Sequence, residues 1–400
     1  MLLPDKWNHF GTSIFSVMTA TANAAKAVNL AQGFPDFDAP DQIKAAAIEA
    51  ITNSANQYAP ATGLQHLRIL ASERRKTTTA MTYDPDTEVT ICTGATEGLF
   101  SALQAICVAG DEVITFAPFY DSYPAAVHAA GAVLRQVPLH APQWTFEPAE
   151  LEKLANSRTR AIIVNSPHNP TGRVFSKMEL QTIADFCLKH DLLAITDEVY
   201  EEIWFGAERP LSLSQLDGMR DRTMVISSAA KTYSVTGWKI GYVFAPAPLS
   251  AAFRAVHQFT VFCSATPLQH GVIAGLQLRE TFYEELRRVY KARLEELAAI
   301  LRSQGFRFAS PEGSYFILAD YSAISEMPDV DFALWLTKIV KVAAVPISPF
   351  FLGSGSAGNP TKSGPRFVRF AFCKKSETLQ AAAANFKAFF KANPLPGLRP

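Results

Sequence analysis

Short apolar runs alternate with helix-like stretches between about residue 89 and residue 246, and this alternation most constrains the fold. The runs typical of buried strands are residues 89–92, 113–116, 161–164, 192–195 and 224–226. Continuous apolar strands suit a mainly parallel sheet that helices cover on both faces. Stretches between them, such as 98–106 and 178–189, have helical periodicity. The pattern predicts a doubly wound α/β domain with ligands at the carboxyl ends of its strands.

The rest of the chain has a different pattern. Residues 267–301 are charged and aliphatic, which predicts one long helix that could bridge two domains. From residue 306 the sequence mixes strands with helices, which predicts a smaller α+β unit. The predicted strands are residues 315–318, 343–347 and 367–372, and the predicted helices are residues 331–340 and 377–391. Residues 352–365 are rich in glycine and serine, and they predict a mobile loop.

Composition narrows the class of protein. A chain of 400 residues with 48% hydrophobic residues can bury the core of two domains. Acidic and basic residues number 37 each, which gives no reason to expect nucleic acid or an anionic membrane as partner. The scattered cysteines are expected to be buried reduced thiols, and no metal site is expected. With Pro4, Asp5 and Lys6 in place of a signal peptide's apolar run, a cytoplasmic protein is expected.

Lys231 follows the apolar run 224–226 and lies between Ser228 and Lys239. A lysine in a desolvated pocket loses its proton readily and can bind an aldehyde covalently. The hydroxyl of Ser228 and the cation of Lys239 would suit a phosphate. The stretch therefore suggests a lysine that holds pyridoxal phosphate, with a solvated surface lysine as the alternative.

Two further segments follow predicted strands. Residues 93–98 open a helix, where backbone N–H groups and the Thr96 hydroxyl would hold a phosphate. A simple strand-to-helix turn is the alternative. Residues 165–172 contain two prolines and a glycine, and they predict a rigid turn that holds the Asn169 amide towards the ligand. His168 in that turn is expected to be structural rather than catalytic.

Asp197 ends an apolar run, where a buried carboxylate is costly without a cationic partner. A pyridinium nitrogen would be such a partner, and the carboxylate would keep that ring protonated and able to accept electrons. Tyr200 could reach the ring hydroxyl from the same side. A helix N-cap at Asp197 is the alternative.

Tyr120 and Arg369 complete the candidates. Tyr120, behind Pro118, could stack on a flat cofactor, or it could be an ordinary core aromatic. Arg369 alternates with apolar residues on a predicted strand, and its planar fork suits a carboxylate. A strand arginine that faces the surface is the alternative, and Arg366 would be an example.

Taken in order, these segments resemble the class I/II aminotransferases of pyridoxal-phosphate fold type I. The resemblance covers nearly the whole chain and also includes residues 11–15, 29–37 and 56–60. It is closest to the branch with methionine aminotransferase and kynurenine–oxoglutarate aminotransferase (glutamine transaminase K). The sequence departs from that branch at residues 229–230, which are Ala-Ala where relatives often have an aromatic and a small residue.

The resemblance implies a division of the chain as well as a fold. Residues 46–290 would form the large domain, which has a mainly parallel sheet flanked by helices and binds the cofactor. Residues 1–45 and 291–400 would form the smaller α+β domain with an N-terminal arm. Residues 352–365 would be an expanded loop beside the strand that carries Arg369.

The resemblance also implies roles at the cofactor ring. Lys231 would carry the cofactor covalently and then move a proton between the substrate Cα and the cofactor C4′. Asp197 would pair with the ring nitrogen, and Asn169 and Tyr200 would contact the ring hydroxyl. Tyr120 would stack on the ring.

The remaining implied roles concern the phosphate and the substrate. Ala95, Thr96, Ser228 and Lys239 would hold the phosphate, with Tyr58 contributed by the other subunit of a homodimer. The substrate carboxylate would be held by Arg369, with support from Asn169 and the backbone at Gly33.

Substrate choice rests on phenylalanines that border the substrate pocket in the resembling family: Phe15, Phe34, Phe259, Phe262 and Phe350. They favour an apolar or aromatic amino donor such as methionine, phenylalanine, kynurenine or glutamine, although some of the 28 phenylalanines belong to the core. The expected reaction is a ping-pong transfer of the amino group to a 2-oxo acid. The alternatives are a cysteine-S-conjugate β-lyase of the same fold and a regulator that uses such a domain as a ligand sensor.

Overall fold

A seven-stranded sheet is the largest sheet of this protein, which is described by a computed structural model over residues 7–8, 10–353 and 366–392. The strands in chain order are β1 (Val28–Asn29), β2 (Val89–Cys92), β3 (Glu112–Ala117), β4 (Val133–Pro138), β5 (Thr159–Asn165), β6 (Leu193–Asp197), β7 (Thr223–Ser228), β8 (Gly241–Phe244), β9 (Phe316–Asp320), β10 (Val342–Ala343), β11 (Val345–Pro346) and β12 (Phe367–Ala371). The large sheet has the order β2-β8-β7-β6-β5-β3-β4.

Strand β8 pairs antiparallel with both β2 and β7, and the other neighbouring strands of the large sheet are parallel. The mainly parallel sheet predicted from the sequence is therefore confirmed. Its central strands are apolar without interruption because both faces are buried. Ile163 of β5 packs in one buried cluster with Leu103, whereas the next residue back, Ile162, packs in another with Ile183.

Helices cover both faces of this sheet. Examples are α4 on one face and α7 on the other. In chain order, the helices of the described residues are α1 (Ile14–Ala25), α2 (Asp41–Thr52), α3 (Gln65–Thr79), α4 (Gly94–Ile106), α5 (Ser122–Ala129), α6 (Pro148–Glu152), α7 (Lys177–Lys189), α8 (Ala229–Thr232), α9 (Ala247–Thr260), α10 (Thr266–Leu276), α11 (Glu280–Ser303), α12 (Asp329–Trp335) and α13 (Ser376–Ala392). Within the described ranges, no helix combines the length and apolar character that a bilayer span requires.

Two small sheets involve the C-terminal part of the chain. Strands β11, β12 and β9 form an antiparallel sheet in that order, and β1 pairs parallel with β10. In the three-stranded sheet, Arg369 lies opposite Leu318 on one side and Val345 on the other. This register places a buried arginine in the middle of a strand pair.

Some sequence predictions are wrong in detail. Residues 267–301 form two helices, α10 and α11, rather than one. The break follows from packing, since α10 lies against α2 and α3 whereas α11 contacts α13. The predicted helix 331–340 changes into a π-helical turn at Leu336–Val340, and the predicted strand 343–347 divides between β10 and β11. Strands β4 and β8 were not predicted from the sequence.

Two expectations are not tested by these elements. The glycine- and serine-rich loop was predicted over residues 352–365, and its residues 354–365 lie outside the described part of the chain. The division into a large domain of residues 46–290 and a small domain of residues 1–45 and 291–400 stays a prediction.

Candidate active site

A cavity of about 300 Å³ lies at the carboxyl edge of the large sheet. Apart from Tyr58, its wall includes every residue predicted to bind the cofactor or the substrate carboxylate, namely Gly33, Ala95, Thr96, Tyr120, Asn169, Asp197, Tyr200, Ser228, Lys231, Lys239 and Arg369. The topology explains this convergence, because parallel strands end at the same edge of a sheet. Strand β6 ends at Asp197, and β7 ends at Ser228, three residues before Lys231.

Asp197 supplies a buried carboxylate to this cavity, with 4% of its surface exposed. Burial raises its pKa to about 6, and the hydrogen bond donated by the Tyr123 hydroxyl acts against that rise. The two oxygens, Oη of Tyr123 and Oδ2 of Asp197, are 2.6 Å apart. The chain does not begin a helix here, so the N-cap alternative is wrong. A cation beside this carboxylate would offset the cost of burying it.

Replacing Tyr123 with phenylalanine is expected to move the acid limb of the activity profile to higher pH. The lost hydroxyl no longer stabilises the carboxylate, so the pKa of Asp197 rises further and more of it is neutral at a given pH. We expect kcat/KM at pH 7 to fall about tenfold, the effect of one charge-assisted hydrogen bond. The measurement is the pH dependence of kcat/KM.

Tyr83→Phe is the matched control for this substitution. The Tyr83 hydroxyl is buried without a hydrogen-bond partner among the described residues, so its loss removes no bond. Its profile should match that of the unchanged protein. An acid limb that stays in place in Tyr123→Phe would contradict the assigned effect on Asp197.

Lys231 lies on the short helix α8, which the Ser228 side chain caps by accepting from the N–H of Ala230 at 3.1 Å. Lys231 is half-buried on the cavity wall, so the surface-lysine alternative is wrong. Its Nζ is 5.7 Å from the centroid of the Tyr315 ring. Burial lowers its pKa to about 8. An appreciable fraction of the amine is therefore unprotonated near neutral pH, as a nucleophile or base requires.

Another group of residues on the cavity wall has the features of an anion site. Helix α4 begins at Gly94, and Ala95 and Thr96 in its first turn line the cavity together with Ser228 and Lys239. Gly94 has a φ of +74°, and a Cβ there would lie 3.2 Å from Nζ of Lys239. Glycine thus allows the cation to approach the backbone. Free N–H groups of a helix N-terminus, a hydroxyl and an ammonium group suit a phosphate.

Arg369 is almost completely buried, with 1% of its surface exposed, and the surface alternative is wrong for it. Its guanidinium donates to Oδ1 of Asn169 at 2.7 Å and to the carbonyl of Ala31 at 3.2 Å. Within the described chain its Nε has no partner. Burial lowers its pKa to about 10, so the group remains charged at neutral pH. The site presents a buried cation with donor capacity left for an anion.

Aromatic rings surround this guanidinium. Its Cζ is 3.9 Å from the ring centroid of Phe316, 4.9 Å from that of Phe15 and 5.5 Å from that of Phe350. These contacts hold the planar fork in one orientation. They also make this end of the cavity apolar around a single cation.

Gly33 lies where β12 and β9 approach the N-terminal segment. A Cβ at Gly33 would lie 2.7 Å from the Phe316 ring, so no larger residue fits without movement. The Tyr315 hydroxyl donates to the Gly33 carbonyl at 2.6 Å. The backbone at this position is therefore fixed against the cavity.

Tyr120 and Tyr200 stand on the cavity wall as hydroxyl-bearing rings. Burial raises the pKa of Tyr120 to about 12, and it also raises that of Tyr200. Both phenols are therefore protonated donors at neutral pH. The Tyr200 ring contacts the Tyr315 ring edge-on, with centroids 5.1 Å apart.

The structure does not bring Tyr58 into the cavity of its own chain. Tyr58 is 82% exposed, and its ring meets that of Phe262 with centroids 5.2 Å apart. Phe259 is exposed on α9. Of the phenylalanines expected at the pocket, Phe15 and Phe34 line the cavity, and the buried Phe350 lies behind Phe15. Tyr58 and Phe262 form an exposed aromatic pair instead, and Phe259 is exposed three residues before Phe262.

Sequence reasoning missed several contributors. Tyr123 belongs to the aromatic segment 119–123, but the segment was interpreted as a stacking face rather than as a donor to Asp197. Gln32 lies in the quoted motif 29–37, which was a usable signal. Phe316, Leu99 and Val199 line the cavity without a sequence signal that sets them apart from core residues. His168 is buried off the cavity, and burial lowers its pKa to about 3.

Fold and site together define an α/β enzyme built for pyridoxal phosphate. The family described as aminotransferase class I and II matches residues 25–386, and the chain belongs to this family. Enzymes of the family depend on pyridoxal phosphate, and the chain is a pyridoxal-phosphate-dependent aminotransferase. The comparisons give the lyase alternative no support.

Individual relatives cover nearly the whole chain. Methionine aminotransferase of Escherichia coli K12 is 37% identical over 96% of this chain and 98% of that protein. Kynurenine–oxoglutarate transaminase 3 of Rattus norvegicus is 37% identical over 94% of this chain and 88% of that protein. The solved structure of N-succinyldiaminopimelate aminotransferase from Mycobacterium tuberculosis has a TM-score of 0.91, with 38% identity over 97% of this chain and 100% of that one.

The residues present fit the cofactor. Asp197 is a buried acid that lacks a cationic ion-pair partner in the described chain, which a ring pyridinium would provide. Lys231 is an amine of lowered pKa on the same wall, and the Gly94–Lys239 approach forms a cradle for a phosphate. These features lie on one cavity, as one cofactor requires.

Proposed function

We propose that this aminotransferase takes its amino group from an apolar, aromatic or sulfur-containing L-amino acid, such as methionine, phenylalanine, kynurenine or glutamine. The acceptor is a 2-oxo acid, and the two halves of the reaction follow a ping-pong order. The observation that carries the proposal is the set of aromatic rings around Arg369. Phe15 and Phe316 contact its guanidinium and line the cavity, and Phe34 lines the same cavity.

The charges of the cavity support the same choice. Its described cations are Lys231, Lys239 and Arg369, and each has a role in the proposed site. None of the described lining residues remains to pair with a carboxylate on the substrate side chain. Burying an unpaired carboxylate is costly, so an apolar side chain is preferred over an acidic one. The names of the methionine and kynurenine relatives agree with this preference.

Arg369 and Lys231 have separate roles towards the amino donor. Arg369 binds the α-carboxylate of the donor, with the Asn169 amide and the Gly33 backbone beside it, and so fixes the donor's orientation. Lys231 would hold the cofactor through Nζ, and its neutral amine would take the proton from the donor Cα and deliver it to the cofactor C4′. Pyridoxal phosphate, when bound, supplies an electron sink for the charge that develops at the α-carbon.

Other side chains hold the cofactor in place. Asp197 would keep a proton on the ring nitrogen through its carboxylate, and Tyr200 would donate to the ring hydroxyl, which Asn169 would also contact. Tyr120 would cover the ring face. Ala95, Thr96, Ser228 and Lys239 would bind the phosphate.

We also propose a homodimer in which Tyr58 reaches the phosphate of the neighbouring subunit. The exposed Tyr58–Phe262 pair and the 88% exposed Phe259 support it, since exposed aromatic patches mark interfaces. Light scattering of the holoenzyme should give twice the chain mass, and a monomeric mass would contradict the proposal. A cytoplasmic location and the two-domain division remain proposals from the sequence.

A panel of donors tests the proposed specificity. The rate of the first half-reaction is followed by the cofactor's absorbance without an acceptor, which gives kcat/KM for each donor separately. Methionine, phenylalanine and kynurenine should exceed aspartate by at least about a hundredfold, because each unpaired buried charge costs several kcal/mol.

The panel includes N-succinyldiaminopimelate, which one relative's name gives as its substrate. A preference for that donor or for aspartate would contradict the apolar specificity while leaving the aminotransferase chemistry intact. A panel of 2-oxo acids, assayed in the second half-reaction, determines the acceptor in the same way.

A further inference from the structure

Lys374 is a buried lysine just beyond the end of β12. Only 3% of its surface is exposed, although lysine is rarely buried without a charged partner. Its Nζ donates to the carbonyl of Phe34 at 2.8 Å and lies 4.6 Å from the centroid of the Phe34 ring. No ion pair of Lys374 is found in the described ranges. Both of these contacts of the ammonium group are therefore with one residue, Phe34.

Phe34 is an unusual residue to hold in this way. Its side chain is 45% exposed and lines the cavity. A half-exposed ring gains little from packing. The position of the Phe34 ring therefore depends on the ammonium group over its face and on the hydrogen bond that this group donates to the Phe34 carbonyl.

The backbone on both sides of Phe34 is fixed by other bonds. The Tyr315 hydroxyl donates to the carbonyl of Gly33 at 2.6 Å. Asp36 accepts from the backbone N–H of Lys375 and from the Thr378 hydroxyl, each at 2.6 Å. Gly33 is thus attached to Tyr315 just before β9, and Asp36 to the segment that follows β12. Lys374, in that same segment, is the attachment at Phe34 itself.

The same stretch of chain carries Arg369, five positions before Lys374. One segment therefore fixes the cation that binds the substrate carboxylate and also the ring that forms part of the apolar wall. We propose that Lys374 is a specificity-determining positioning residue, which holds the Phe34 ring at the distance from Arg369 that suits a long apolar side chain. This inference rests on the proposed apolar donor. Phenylalanine would reach the Phe34 ring, whereas alanine would not.

Lys374→Met tests the proposal, because methionine keeps most of the volume and removes the ammonium group. In the holoenzyme, kcat/KM of the first half-reaction for phenylalanine should fall about tenfold, mainly through KM, as expected for the loss of a cation–π contact and a charge-assisted bond. The value for alanine should change less than about twofold, because its side chain ends short of the wall. The phenylalanine-to-alanine ratio is the readout.

Lys375→Met is the matched control. Lys375 is the next residue and its side chain is exposed, and it contributes only its backbone N–H to Asp36. The ratio should stay at the unchanged enzyme's value. Lys374→Arg keeps a cation and a donor, and it should recover part of the ratio that methionine loses.

Phe34→Ala separates positioning from a general structural effect. Phe34→Ala alone should lower the ratio, and adding Lys374→Met to it should change the ratio no further. Three results would each overturn the proposal. Lys374→Met could lower kcat/KM equally for both donors, or Phe34→Ala could leave the ratio unchanged. Lys374→Met could also lower the ratio as much in the Phe34→Ala background as it does alone. If Lys374→Met does not fold, Lys374→Gln takes its place, because glutamine keeps a donor and removes the charge. An unchanged phenylalanine-to-alanine ratio in Lys374→Gln would then overturn the proposal.

Failure of the proposed function gives a different result. A kcat/KM for phenylalanine no higher than that for aspartate in the unchanged enzyme would contradict the apolar donor specificity itself. A large ratio that survives Lys374→Met would contradict only the role of Lys374.

Discussion

Replacing Lys231 with alanine is expected to lower the transamination rate by roughly 10³–10⁴-fold, the upper range for loss of a positioned acid–base group. Lys231 lines the cavity, and burial lowers its pKa to about 8, so a neutral amine is available near pH 7. No other group with these properties lines the described part of the cavity. The measurement is the single-turnover rate with a preferred donor, together with steady-state kcat.

The assignment has an independent chemical readout. Borohydride reduction of the resting enzyme followed by peptide mapping should place a pyridoxyl group on Lys231. A pyridoxyl group on another lysine, or none at all, would remove the assignment. Lys231→Arg keeps a positive charge but supplies no base at neutral pH, and it should lose as much activity as the alanine variant. Lys153→Ala, at an exposed position, should retain the full rate.

Arg369→Ala is expected to lower kcat/KM for amino acids by roughly a thousandfold. The loss combines two charge-assisted bonds to the substrate carboxylate with the orientation that they impose. The corresponding decarboxylated amines lack that carboxylate, so their kcat/KM should change much less. The measurement is the half-reaction with phenylalanine and with phenethylamine, using the same protein for both.

The paired substrates control for structural damage, which matters because Arg369 also bonds Asn169 and packs on Phe316. A general loss of structure would lower both values together, and equal losses would contradict the carboxylate role. Arg369→Lys keeps the charge without the planar fork. Its kcat/KM for amino acids should therefore lie between the values of the unchanged enzyme and of Arg369→Ala.

The sequence predicted most of the buried strands of the large sheet, but it missed β8, which is buried at every position, as well as β4. β4 lies at one edge of the sheet and has exposed residues between buried ones, and therefore it has no continuous apolar run. The predicted helix 267–301 failed because apolar periodicity continues across the break between α10 and α11. Their different packing partners are distant in sequence, and a local pattern does not contain them.

The candidate site was predicted where residues follow strands, because the carboxyl edge of a parallel sheet collects them. Asp197, Ser228 and Lys231 are of this kind. The contacts between side chains were not predictable in the same way. The bond from Tyr123 to Asp197 depends on the direction of α5, and the contact between Lys374 and Phe34 joins positions 340 residues apart.

Strand β8 is antiparallel to both of its neighbours, and this direction brings phosphate-binding groups from distant segments together. The connection from β7 to β8 turns back at the edge where β7 ends, so that one hairpin presents both Lys231 and Lys239 there. The reversal also restores the direction of β2, whose end leads into the first turn of α4 at that same rim. With a crossover helix between β7 and β8, Lys231 and Lys239 would not share one short connection. A single small molecule could then not contact both lysines and the first turn of α4.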